Sequence, residues 1–186
     1  MPDRIHALRD KSGALYTDDA SIATILNDSF QSVFTVEPVE GALPQFPDRT
    51  TARLDPSGDE LYVLSDVTAR QAQLDITKSM GPDGLHARVL KECATELAVP
   101  LTAIYKRSHR DGQAPSFFKQ ANVTAIFKKG CKVTALNYRP ISLTCVACKV
   151  QEAIIHSRML QHLVTHDLID PAQHGFLPGM CNGVIT

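Results

Sequence analysis

Apolar positions along the chain fall into blocks of helical and strand period, divided by Pro- and Gly-rich breaks. Ile22, Ile25, Leu26, Phe30, Val33 and Phe34 recur at i, i+3, i+4 spacing behind Asp18 and Asp19, either of which can cap a helix there. Residues 1–16 before it are polar and read as loosely held. Residues 35–60 carry Pro38, Pro44, Pro47 and Pro56 with Gly41 and Gly58 among many acids, the composition of a linker. Leu61 to Leu64 reads as a short strand, after which Ser65 caps a helix with Val67, Gln71 and Leu74 on one face. The run KSMGPDG at 78–84 cannot continue a helix. Leu85, Val89, Leu90, Cys93 and Leu97 predict an amphipathic helix stopping near Pro100, and a further helix runs from Leu101 to about Arg110. After Leu143, Thr144 is placed to cap a long helix whose apolar side is Val146, Val150, Ile154 and Leu160, and residues 167–171 break it.

The period changes between Lys119 and Leu143. Ala121 to Phe127 is rich in β-favouring residues and ends at Lys128-Lys129-Gly130. Lys132 lies just past that turn, and in Asn137-Tyr138-Arg139-Pro140 the proline biases Arg139 toward extended backbone. This predicts an antiparallel hairpin over about 121–143, with cations at its tip and Arg139 at the base of its return arm. Such a device suits a polyanion or a triphosphate, although a lysine cluster is also the ordinary composition of a solvated turn.

Charge sharpens this picture. The formal net charge is -1, yet residues 1–60 hold eleven acidic and five basic residues, while Gly112 to Gln151 holds six basic residues and no Asp or Glu. An acidic head beside a basic middle points to a phosphate-bearing partner for the middle. No run approaches the roughly 18 apolar residues of a membrane span, and the N-terminus lacks the apolar core of a signal peptide. Five cysteines without scaffold spacing fit reduced thiols. The expected localisation is therefore intracellular, with no membrane partner. Cys145 and Cys148 have zinc or redox spacing, but they form a lone pair. With His156, His162 and His166 all on the next helix, they read as small core residues.

KSMGPDGL at 78–85, ANVTAIFKKG at 121–130, NYRPISLT at 137–144 and QHGF at 173–176 together resemble the reverse transcriptases of non-LTR (LINE-type) retrotransposons. The similarity runs in unbroken order from about Leu61 to Gly179, and LNDSFQSVFT at 26–35 looks like the connector that precedes the polymerase. The resemblance implies an α+β, mostly helical partial right hand. Residues 1–60 form a connector with one amphipathic helix and the linker. Residues 61–186 form a truncated domain with N-terminal extension, fingers and the start of the palm. The implied partners are an RNA template, a DNA primer and deoxynucleotide triphosphates. Carried over residue by residue, the motifs imply nucleotide or template contacts from Lys128 or Lys129 and from Arg139. The GPDG turn looks like a structural corner near the template path.

Met80, Phe118 and Ala125 depart from the family's usual Pro, Trp and Pro, and Leu177, Pro178 and Met180 replace charged positions after QHGF. The intact family enzyme uses two Mg2+ ions roughly 3.5–4 Å apart, held by carboxylates that follow QHGF. In the resembled family these are an aspartate in a strand after QHGF and a later Asp-Asp pair; Asp167 and Asp170 match neither, and Asp18-Asp19 reads as a cap. The expectation is thus no catalytic or metal-binding residue, and no cofactor, in this chain, with Mg2+ belonging to the intact enzyme. A fragment inactive alone is the leading expectation. The alternatives are a non-specific RNA or primer–template binding module and a non-functional translated relic.

Overall fold

A computed structural model describes residues 4–35 and 60–169. The Pro-rich stretch and the QHGF segment fall outside these residues. The chain divides into two compact units that interleave in sequence, residues 1–48 with 120–144 and residues 49–119 with 145–186. The two parts of the first unit meet because the helix near the start of the chain packs against residues more than a hundred positions later.

In the first unit, β1 (Leu8–Arg9) and β2 (Leu15–Tyr16) pair antiparallel, with Leu8 opposite Tyr16 and Arg9 opposite Leu15. The Asp10 carboxylate closes the turn by accepting from the Ser12 and Ala14 amides at 2.9 and 3.0 Å. Helix α1 (Asp19–Gln31) starts where the Asp18 carboxylate accepts the Ser21 amide at 2.8 Å, as the sequence predicts. β3 (Ala121–Phe127) and β4 (Tyr138–Thr144) form the second antiparallel hairpin. The core is Leu8, Ile22, Leu26, Ala135 and Tyr138, with Ile5, Ile25, Phe30, Ala125 and Phe127 packed around it. The expectation of a loosely held N-terminus is therefore corrected for residues 4–16. Leu8 is fully buried, and the Arg9 amide donates to the Val133 carbonyl at 2.8 Å.

The second unit is helical: α2 (Leu64–Ala72), α3 (Ala87–Glu92), α4 (Ala94–Asp111) and α5 (Val146–Thr165). Tyr62, Val67, Ala98, Tyr105, Val150 and Ile154 make its main core. The Tyr105 hydroxyl donates to the Ala147 carbonyl at 2.8 Å, and the Gln151 amide donates to the Tyr62 hydroxyl at 3.0 Å. Burial raises the pKa of both phenols and holds them neutral.

Several expected boundaries move. Leu61 to Val63 form a turn that leads into α2 at Leu64 rather than a strand, and Val63 instead of Ser65 is the N-cap of α2. Pro100 lies inside α4, and the helix break falls earlier, at Cys93. Both Pro100 and Glu96, whose carbonyl loses its helical donor, are exposed. Cys145 rather than Thr144 precedes α5. The GPDG run is a tight corner. Gly84 has φ +66, and its amide donates to the Gly81 carbonyl at 3.2 Å. Among the described residues the chain is mixed α and β, with five α-helices and two small antiparallel hairpins. Among these residues no helix is long and apolar enough to cross a membrane.

Candidate nucleic-acid interface

The β3–β4 ladder sets out which cations act together. Its register pairs Phe127 with Tyr138, Ile126 with Arg139, and Ala125 with Pro140. The Lys128 amide donates to the Asn137 carbonyl at 2.8 Å, which carries the pairing one residue past the strand. Antiparallel pairs alternate between bonded and non-bonded, so Ala125–Pro140 is non-bonded and the missing proline N–H leaves no gap. Side chains alternate across the sheet, so Phe127, Ala125 and Tyr138 share one face and Lys128, Ile126 and Arg139 share the other. The first face packs on the core of the unit near the tip. The second is open: Lys128 and Arg139 are exposed and Ile126 is 47% exposed.

Lys128 is diagonal to Arg139 across the ladder, a relation that puts backbone positions roughly 7–8 Å apart. That spacing allows two long cationic side chains to reach one phosphate or neighbouring phosphates. Lys129, one residue on, lies in the bend where the ladder has ended. Of the three residues expected from the sequence, the register brings Lys128 and Arg139 onto one face and leaves Lys129 at the tip. None of the three side chains pairs with a carboxylate among the described residues.

The turn is held by side chains as well as backbone. The Asn137 amide donates to the Cys131 carbonyl at 2.9 Å, and the Tyr138 hydroxyl donates to the Lys132 carbonyl at 2.7 Å. Burial, then the nearby Cys131, raises the Tyr138 pKa and keeps the phenol protonated for that role. Lys132 places its ammonium 5.7 Å from the centre of the Phe127 ring, and that ring meets Tyr138 edge-on at 5.5 Å. Gly130 has φ +93, and a Cβ there would stand 2.8 Å from the Asn137 amide nitrogen. Sequence reasoning found the lysines and Arg139 but missed Asn137 and Tyr138 as the residues that shape the loop. It also missed the N-terminal segment docked beside them, for which strands of two residues give no periodic signal.

Elsewhere Cys145 and Cys148 are buried, at 1% and 6% exposure, as core residues. Burial, then Glu152, pushes the Cys148 thiol up to about 12. The His162 and His166 rings, tilted 55° to one another with centres 4.5 Å apart, line with His109 a cleft of about 430 Å3 in the helical unit. Among the described residues no three His, Cys, Asp or Glu side chains meet in a way that could hold a metal ion. The described residues thus do not fit the paired Mg2+ ions of the resembled enzymes, and no step is assigned to them. No model of a known protein family matches the chain.

Proposed function

We propose that this chain is the fingers portion of an RNA-directed DNA polymerase of the non-LTR retrotransposon type, and that its β3–β4 hairpin grips the phosphates of nucleic acid or of an incoming nucleotide. The observation that carries the reading is the shared open face of Lys128 and Arg139. Phosphoryl transfer depends on positioning the phosphates and neutralising their charge, and two cations fixed by one ladder contribute to both. Their fixed spacing reduces the side-chain ordering needed on binding compared with cations on a loose loop. The same geometry supports binding to RNA or primer–template with no chemistry at all, so binding is the activity to measure first.

The test is fluorescence anisotropy of a labelled single-stranded RNA against the whole chain across a salt series. With about four phosphates engaged, log K falls against log salt with a slope near −3, taking about 0.7 per phosphate for single strands. Arg139→Ala and Lys128→Ala are each expected to weaken binding and flatten that slope by about 0.7, with the urea midpoint unchanged. Binding that does not change with salt, or equal binding by wild type and both variants, would overturn the assignment. A fall in stability without a change in binding would make Arg139 a structural residue.

A further inference from the structure

The C-terminal ends of two helices meet at the histidine-lined cleft of the helical unit. His109 lies in the last turn of α4, His162 lies in the last turn of α5, and His166 is the residue that caps α5. All three line the cleft of about 430 Å3, together with the Glu60 carboxylate. Carbonyls at the C-terminal end of a helix carry partial negative charge, so both ends favour a cation. Arg158 also lines the cleft, but its charge is matched by Asp66 at 2.7 Å. The His109 ring meets Tyr62 edge-on with centres 6.0 Å apart. Among the described residues none of the three imidazoles makes a hydrogen bond, so each neutral ring keeps a nitrogen lone pair to offer.

His162 and His166 are four residues apart, the spacing at which one helix face presents two imidazoles to a metal ion. Their ring centres are 4.5 Å apart and the rings are tilted by 55°. Two imidazoles on a tetrahedral zinc ion, with bonds of about 2.0–2.1 Å, hold their ring centres roughly 5 Å apart. Small side-chain rotations therefore suffice to bring the pair onto one ion. We infer that His162 and His166 chelate a single divalent ion of the class that imidazole prefers, Zn2+ or Cu2+, at the end of α5. No third ligand side chain converges on the pair among the described residues. The remaining coordination positions thus take water and open to the cleft that His109 and Glu60 share. Nitrogen donors select against Mg2+, which takes oxygen ligands. The inference is independent of the hairpin reading, since it uses no residue of the β3–β4 unit.

The experiment is calorimetric titration of the whole chain with Zn2+ at neutral pH, with Mg2+ as the control ion. Accessible thiols are first blocked with iodoacetamide, so that Cys93 and Cys131, both exposed, do not compete for the metal. Wild type is expected to show a saturable zinc site and no Mg2+ binding. His162→Ala and His166→Ala should each lose that site. His156→Ala, on the same helix but outside the cleft, should keep it. His166 is exposed, so its variant tests the chelate even if His162→Ala, at a half-buried position, disturbs the helix. Bound zinc should also raise the thermal midpoint of wild type and leave that of His166→Ala unmoved. Four results would each overturn the inference: no zinc binding by wild type, equal binding by wild type and His166→Ala, an equal loss in His156→Ala, or a Mg2+ isotherm matching that of Zn2+.

Discussion

Replacing Gly130 with alanine tests how the cationic turn is built. Gly130 sits at φ +93, where an L-residue is strained, and its new Cβ would lie 2.8 Å from the Asn137 amide nitrogen. The backbone term is worth about 1–3 kcal/mol. Moving Asn137 aside also breaks its 2.9 Å bond to the Cys131 carbonyl, which adds about 0.5–1.5 kcal/mol. The expected loss is therefore about 2–4 kcal/mol, a large part of the ~5–15 kcal/mol that holds a typical protein folded. Urea unfolding followed by circular dichroism measures the total. Amide exchange at Lys128, whose N–H bonds the Asn137 carbonyl, reports the turn itself. In an Asn137→Ala background the steric contact is gone, so the same glycine substitution should cost less by about 0.5–1.5 kcal/mol. A Gly130→Ala protein as stable as wild type, or an equal cost in both backgrounds, would refute this account of the turn.

Other expectations follow from the cores. Leu8→Ala empties a fully buried site beside Ile22 and Leu26. It should cost about 2–5 kcal/mol in urea unfolding, whereas a loosely held terminus would lose almost nothing. Cys93 and Cys131 are exposed while Cys145 and Cys148 are buried. Iodoacetamide at pH 8, read by mass spectrometry, should therefore label the first two quickly and the second two only on unfolding; rapid labelling of Cys148 would contradict its place in the core. The sign of the alkaline response follows from the raised pKa values of Tyr62, Tyr105, Cys145 and Cys148, all shifted chiefly by burial. Their protonated forms are favoured in the folded state, so their contribution is complete below the unfolded values of 9.0 for the thiols and 10.0 for the phenols and is lost as pH rises toward the folded ones. The thermal midpoint should decline above about pH 9, and a flat profile from pH 8 to 11 would contradict the burial of these groups.

Where local signals were dense, the sequence was a good guide. The Asp18 cap, the stripe of α1 from Ile22 to Phe30, the long α5 and the two arms of the β3–β4 hairpin all come from short-range spacing and from the Lys-Lys-Gly break, whereas Val33 and Phe34, expected on that stripe, lie past the end of the helix and are exposed. What escaped depends on partners far along the chain. Residues 8–9 are too few for a strand period, and their register comes from Val133, which no window around them contains. Leu61 to Leu64 has strand-like composition, but Tyr62 is taken into the helical core instead of a ladder. Pro100 suggested a stop, yet packing of Ala98 and Tyr105 on opposite sides of it carries α4 through. The candidate site shows the same division. Composition located the cations, but only the register placed Lys128 rather than Lys129 with Arg139.

The interleaving of the two units has a consequence for synthesis on the ribosome. Helix α1 emerges early, but Ala135 and Tyr138, which cover Ile22 and Leu26, follow only after the stretch that builds much of the helical unit. At about 5–20 residues per second that wait is on the order of ten seconds. During it the apolar stripe of the nascent helix is open to chaperones, proteases and other chains. A premature stop anywhere before the β3–β4 hairpin leaves that stripe without its partner for good, so quality control would meet such products as sticky, short-lived peptides.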